Sequence, residues 1–305
     1  MTFSIAGFCR ETGQVGTAIS SSSICVASRC PFIAPGKGAV LTQNVTNPAL
    51  GQLGVQLLQE GLGAEQVLKR LCEHEEYPEW RQLQVLDVEG VSAVHSGAET
   101  LGIHATRQGR DCVAGGNMLA DEGVIDAMVA AFESHDGELA ERLLAAMDAG
   151  LAAGGEMGPV FSAGLKVTDR ASWPVVDLRV DWHIAPLTEL RMVWEHYLPQ
   201  RDAYVLRAVR PDDSPSYGVP GMSADRRPLM PVGGGHVPWP PSYLFPDHLG
   251  VPHVPRYRRR PARRSGGLRH HQPPFQPAVD LLHRGLSGPP RGGLAAGDRR
   301  GRREG

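Results

Sequence analysis

Met1-Thr2-Phe3-Ser4-Ile5-Ala6-Gly7-Phe8-Cys9 opens the chain as an alternating run of apolar and small side chains. Alternation with period two is the mark of a strand with one buried face, because successive side chains leave a strand on opposite sides. Arg10-Glu11-Thr12-Gly13 then reads as a turn, and residues 15–23 as the hairpin partner. Residues 24–33 and 38–44 read as two more extended segments around Ala34-Pro35-Gly36, so four strands precede any helix. The first helix is announced by Asn47-Pro48, a cap followed by proline where a missing N–H does no harm. Leu50, Leu53, Leu57 and Leu58 give it an apolar face, and Val67, Leu68, Leu71 and Cys72 give one to a second helix that follows at once.

The same order recurs downstream. Residues 82–88 and 91–95 form an expected hairpin around Glu89-Gly90, and residues 111–119 add an extended piece. Asp121 is placed to cap a helix with Val124, Ile125, Met128, Val129 and Phe132 on its face, and Leu139, Leu143, Leu144, Met147 and Leu151 mark another. Strands follow at 160–167 and 175–181, and Pro186 opens a last helix carrying Leu187, Leu190, Val193, Trp194 and Tyr197. Helices that come in pairs after blocks of strands do not suit a parallel sheet built from βαβ crossovers. The expectation is an α+β fold: a four-layer α/β/β/α sandwich of two antiparallel sheets with helix pairs outside.

Position 2 gives the opening run a chemical reading as well. Threonine there is small enough for the initiator methionine to be trimmed, which would leave a hydroxyl and a free α-amine on one residue. Such an amine has a reference pKa of about 7.7 to 8.0, so it can take the hydroxyl's proton near neutrality. A nucleophile that carries its own base is an established variant of the catalytic pair. The plainer reading is that Thr2 simply begins a strand.

Composition narrows the alternatives. The 305 residues, 41% hydrophobic and 21% charged, fit a globular chain with a full core. No apolar run approaches the roughly 18 to 20 residues of a membrane helix, and no signal-peptide core is visible, so the expectation is cytoplasmic with no membrane partner. The five cysteines, Cys9, Cys25, Cys30, Cys72 and Cys112, are an odd set without a CxxC pair, which points to reduced thiols. Phosphate loops, metal-binding histidine pairs and a GxSxG elbow are missing, so neither cofactor nor metal is expected.

The net charge of -2 conceals an imbalance. Acids outnumber bases by about a dozen over residues 1–221, and bases lead by about ten over 222–305. That last segment is rich in Arg, Pro and Gly without helical or strand periodicity, and it reads as a disordered tail whose composition suits a shifted reading frame. A nucleic-acid arm is disfavoured because the body is acidic and the tail has little aromatic interleaving. The domain expectation is therefore a body over 1–221 and a tail over 222–305.

Several blocks of the body, in order, carry a resemblance. Thr2-Phe3-Ser4-Ile5-Ala6, the serine string 20–23, Ala27-Ser28-Arg29-Cys30, Gly36-Lys37-Gly38-Ala39-Val40, Gln43-Asn44-Val45-Thr46-Asn47-Pro48, Gly116-Asn117-Met118-Leu119, Val176-Asp177-Leu178-Arg179-Val180-Asp181 and Pro215-Ser216-Tyr217-Gly218-Val219-Pro220-Gly221 are similar to a bacterial family of Ntn-hydrolase-like proteins known as a domain of unknown function. The resemblance spans residues 1–221 and implies the sandwich fold and an amidohydrolase-type chemistry. Members of that family end soon after the last block, whereas this chain runs on from Met222 into its arginine-rich tail. Lys37 falls where the family pattern does not require lysine, so no role is carried onto it.

On this reading Thr2 attacks the carbonyl of a small-molecule amide or ester, and water resolves the acyl-enzyme. Asn117, with Gly116 beside it, is the expected oxyanion donor. Ser20 and Ser22 share one side of their strand and, with Gln43 and Asn44 at a strand end, are candidates for binding substrate. Asp177, Arg179 and Asp181 alternate onto one face that reads as solvated, yet Asp181 is retained as a group that could orient the amine. Trp194 and Tyr197 suggest a homodimer face on the last helix. Two rivals stand beside this reading: a Cys30 thiol partnered by His95, His104 or His183, and a non-catalytic small-molecule-binding protein on the same fold.

Overall fold

The computed structural model describes residues 2–215. The block from Ser216 to Gly221 and the 222–305 segment lie outside the described residues.

The opening run forms β1 (Thr2–Phe8), buried along its whole length, and pairs with β2 (Val15–Ser21) as the expected hairpin. After β2 the chain does not stay extended. Cys25 takes a left-handed φ of 55° into a short 3-10 turn at Val26–Ser28. The Ser28 hydroxyl donates to the Cys25 carbonyl at 2.7 Å, and the Arg29 guanidinium donates to the carbonyls of Ile24 and Cys25 at 2.6 and 2.9 Å. Local side-chain bonds of this kind compete with a ladder, which is why the expected extended segment shrinks to β3 (Pro31–Ala34) before β4 (Gly38–Asn44).

Asn47 caps α1 (Pro48–Gln59) as expected, its Oδ1 accepting from the Ala49 N–H at 3.1 Å. Its amide donates to Glu75, beyond α2 (Ala64–His74), at 2.7 Å, and Glu75 also pairs with Arg81 at 3.0 Å. Burial opposes the charge on Glu75, but hydrogen bonds from Arg81, Asn47 and Tyr77 outweigh it and hold the carboxyl at about 2. The start of α1 is thereby tied to the start of β5 (Arg81–Asp87), which turns back into β6 (Ser92–Ser96).

One strand was invisible to periodicity. β7 (Ala105–Gly109) is a partly exposed polar strand that pairs with β8 (Cys112–Asn117). Its Arg107 and Gln108 show no buried alternation, so only the β8 half of this hairpin stood out in the sequence. Helices α3 (Gly123–Ser134) and α4 (Leu139–Ala152), strands β9 (Ser162–Thr168) and β10 (Pro174–Val180) and helix α5 (Pro186–Val209) complete the order. α5 runs a further 12 residues past Tyr197, with Pro199 inside it.

The strands make two sheets, each antiparallel throughout. One has the order β10-β9-β2-β1-β8-β7 and the other β3-β4-β5-β6. Alternation in β1 explains how they stack. Phe3 and Ile5 point outward into a core with Met128, Phe132, Leu143 and Trp194 from the C-terminal helices. Ala6 and Phe8 point inward against Ala39, Leu41 and Leu86 of the smaller sheet. Val40, Leu83 and Val85 leave the far side of that sheet and pack with Leu50, Leu58, Val67 and Leu71 of α1 and α2. The layers are helices, sheet, sheet, helices, held by three apolar seams in which a fully buried Phe or Leu contributes about 1.5 to 3 kcal/mol.

Trp194 is fully buried in the outer core and donates its indole N–H to Glu141, and the Tyr197 hydroxyl donates to the Val175 carbonyl at 2.8 Å. Both side chains are engaged within their own chain, Trp194 fully buried and Tyr197 half-buried. Among the described residues, no helix is long and apolar enough to cross a membrane.

Candidate active site

The seam between the sheets changes character along the strands. At one end it is apolar, with Phe8, Val15, Ala39, Leu86 and Val113. Two to six residues further along the same faces stand Thr2, Ser4, Ser21, Gln43, Gln82, Gln84 and Asn117, all buried. Each strand keeps its inward alternation, but its inward residues turn from apolar to polar as the start of β1 is approached.

Buried polar groups must satisfy one another, and these form a chain. Gln84 donates its amide to Ser4 Oγ at 3.1 Å, and Ser4 donates to Gln43 Oε1 at 2.7 Å. Gln43 donates to Gln82 Oε1 at 2.8 Å, an oxygen that also accepts from Asn117 Nδ2 at 3.1 Å. Gln82 spends its own amide hydrogens on the Gly116 carbonyl at 2.9 Å and on Ser96 Oγ at 3.1 Å. Two acceptors remain without a hydrogen-bond partner, Gln84 Oε1 and Asn117 Oδ1. Glycine at 115 leaves room for this chain of bonds, since a Cβ there would sit 2.7 Å from Gln84 Nε2 and displace that amide.

Thr2 ends this layer. It is 6% exposed, stands in register with Asn117 on β8, and donates its hydroxyl to Ser21 Oγ on β2 at 3.3 Å. Ser21 Oγ also accepts the Ser23 N–H at 3.0 Å, which fixes the turn that follows. Just beyond, Glu156 is 4% exposed and accepts the Ser22 N–H on its two carboxylate oxygens at 3.1 and 3.3 Å. Burial pushes its carboxyl up to about 7, against the opposing pull of the positive amino end of the chain and of the Ser22 N–H.

Thr2, Asn117 and Gln43 are thus brought together, and the other expected site residues are not. Ser20 is in register with Phe3 and so shares its outward face, where its hydroxyl donates to the Ser162 carbonyl at 3.0 Å. It is Ser21 that stands beside Thr2. Ser22 lies past the strand end and contributes its backbone N–H to Glu156. Asn44, at a φ of 73°, donates to the Trp80 carbonyl at 2.7 Å and accepts from the Leu101 N–H at 3.2 Å, so it braces two loops. Gly116 faces outward, where a Cβ would meet Leu119 at 2.7 Å, and its carbonyl accepts from Gln82. Asp181 is exposed at the end of β10, an edge strand separated from β1 by β9 and β2, on the solvated face expected for it.

Sequence reasoning passed over Ser4, Gln82, Gln84 and Glu156, and it chose Ser20 and Ser22 over Ser21 and Ser23 on the opposite face of their strand. Gln82-Leu83-Gln84 did carry a signal, since glutamine alternating with leucine in a strand that follows a helix pair marks a polar face opposite an apolar one. Glu156 follows Gly154-Gly155 in a loop, where no periodicity exists to find it. The cysteine rival fares poorly. Cys30 is 1% exposed, burial raises its thiol, its Sγ contacts Thr46 Oγ1, and His95 is engaged with the Pro78 carbonyl. No group of three His, Cys, Asp or Glu side chains among the described residues could hold a metal ion. A cavity of about 400 Å³ lies elsewhere, lined in part by Phe32, Gln52, Lys166 and Arg179, and Thr2 is not part of its wall.

Residues 2–190 match a family described as a family of unknown function, DUF1028. A crystal structure of protein SPO2555 from Silicibacter pomeroyi, described with the same family, is similar to this chain at 29% identity and a TM-score of 0.60, covering 64% of this chain and 88% of that one. A search of curated proteins found no match.

Proposed function

From a chain that belongs to DUF1028, a family of unknown function, we propose an Ntn-hydrolase-like protein in which Thr2, once Met1 is removed, cleaves an amide or ester bond of a small molecule through an acyl-enzyme. The observation that carries this reading is the position of Thr2. A hydroxyl one residue from the amino end sits buried at the polar end of the seam between two stacked antiparallel sheets, bonded to Ser21 and in register with Asn117.

The chemistry follows from the groups present. The Thr2 amine takes the hydroxyl proton as Oγ attacks the carbonyl carbon, and the oxyanion forms on the carbonyl oxygen. The same amine returns its proton to the leaving group, and water then attacks the Thr2 ester to release the acid and restore the hydroxyl. Asn117 Nδ2 spends one of its two hydrogens on Gln82 in the resting state, and its second N–H is the donor this reading assigns to the oxyanion. Ser21 holds the Thr2 hydroxyl in place before attack. The reading includes a cytoplasmic setting and a small-molecule partner.

A non-catalytic binding protein on the same fold is the second reading, favoured by one observation: most of the polar layer is already engaged in its own hydrogen bonds. Turnover of an amide and ester library by wild type and by Thr2→Ala, each checked by intact mass for loss of Met1, separates the two. The hydrolase reading expects turnover in wild type and a loss of at least about a hundredfold in Thr2→Ala. Equal rates in both proteins refute it.

A further inference from the structure

Glu156 occupies a position that the reaction just described does not explain. Its backbone bridges Leu119 in antiparallel fashion, and the neighbouring bonds from Ala120 N to Gly155 O and from Met157 N to Met118 O, both 3.0 Å, clip residues 155–157 onto the extension of β8. Its carboxylate lies on the other side, on the Ser22 N–H just past the end of β2. β1 runs between β2 and β8. A side chain that starts beside β8 and ends beside β2 therefore crosses the end of β1 from which the Thr2 nitrogen projects. An acidic side chain 4% exposed needs a reason to be there, and the Ser22 N–H, a neutral donor, does not neutralise it.

We propose that Glu156 is a positioning residue for the Thr2 amine: its carboxylate holds the α-amino group of the matured chain across the end of β1, next to Thr2 Oγ1. This rests on the hydrolase reading of Thr2 and adds to it the group that aims the base. Two further observations support it. With Met1 still in place, the positive amino end of the chain, one residue before Thr2, lowers the Glu156 carboxyl against the rise that burial produces. Burial also keeps solvent from screening the pair, so the carboxylate and the ammonium of Thr2 stabilise each other's charged forms. Glu156 thereby fixes the orientation of the amine and makes it more basic than an unpaired amine at the same site.

The test uses the full chain released from an amino-terminal fusion by a protease that leaves Thr2 as the first residue, so that methionine removal is not in question. The amine is titrated through the carbon-13 shifts of Thr2 in wild type and in Glu156→Gln. The midpoint is expected to fall by about one pH unit or more in the variant. The reciprocal titration needs no substitution: acetylating the Thr2 amine should raise the midpoint of the Glu156 carboxyl carbon by a comparable amount, since coupling between two sites is mutual. A structural role alone moves neither midpoint. If both stay within about 0.2 pH units of the wild-type values, the proposal is overturned. Both titrations read the pair whether or not Thr2 turns over a substrate, so an inactive Thr2 with shifted midpoints refutes the hydrolase reading and leaves the pairing established.

Discussion

Replacing Gln82 with leucine removes the centre of the buried polar layer at nearly constant volume. Four groups lose their partner at once: Gln43 Nε2, Asn117 Nδ2, Ser96 Oγ and the Gly116 carbonyl. Gln43, Gln82 and Asn117 are each fully buried, so water cannot replace the lost bonds without opening the seam. A buried donor or acceptor left unsatisfied costs about 1 to 3 kcal/mol. Ser96 is only partly buried and its hydroxyl can turn to solvent, and the Gly116 carbonyl has a second lone pair that need not be filled. The two amide donors then dominate, and the expected loss is about 3 to 5 kcal/mol. Urea unfolding of the full chain, followed by the fluorescence of buried Trp194, measures it. With a slope of about 2 to 3 kcal/mol/M, the midpoint should drop by roughly 1 to 2 M at unchanged slope. Ser4→Ala also orphans two buried groups, Gln84 Nε2 and Gln43 Oε1, and should cost about 2 to 4 kcal/mol. A midpoint change below about 0.3 M for Gln82→Leu would refute the idea that this layer is a satisfied network.

Other expectations concern charge, thiols and packing. Glu156 binds its proton more tightly in the folded state, at about 7 against 4.5 unfolded, so its contribution is complete below pH 4.5 and is lost as pH rises to about 7. The difference is about 3 kcal/mol, and urea midpoints of Glu156→Gln should lack that part of the decline. Glu75 has the opposite sign: its carboxyl is held at about 2, so stability present above pH 4.5 is lost as pH falls toward 2, and Glu75→Gln should flatten the acid limb of a thermal-stability profile. Burial raises the thiols of Cys30 and Cys112, the latter to about 12, so iodoacetamide at pH 7.5 should leave both unmodified in native protein and label them in urea, as read by peptide mass mapping. Gly115→Ala should cost about 1 to 3 kcal/mol in the same urea assay, since its Cβ meets the Gln84 amide at 2.7 Å.

The layering was legible because alternation in β1 separates Phe3 and Ile5 from Ala6 and Phe8, and because helices come in pairs after blocks of strands. Asn47 could be read as a cap for the same reason, a local rule with a local cause. What escaped was set by partners distant in sequence. Ser20 and Ser21 are equivalent in composition, and only the register of β2 on Phe3 decides which stands beside Thr2. The alternation of Gln82 and Gln84 marks a polar face, but what that face bonds to is set only when the strand carrying Gln43 lies beside it. β7 has no apolar face to betray it, and Glu156 owes its role to a loop clipped onto β8. Trp194 and Tyr197 looked like a surface for a second copy because periodicity reports an apolar face and not what covers it.

The central claim is that the Thr2 hydroxyl is the nucleophile, and the most direct measurement is a map of covalent modification. The full chain beginning at Thr2 is treated with a β-lactone, which acylates an activated hydroxyl, and the adduct is located by peptide mass spectrometry. The account predicts one stoichiometric acyl group on Thr2, none in Thr2→Ala, and none in wild type unfolded in urea. A folded protein that stays unmodified at Thr2, or that is modified equally when Thr2 is alanine, contradicts it.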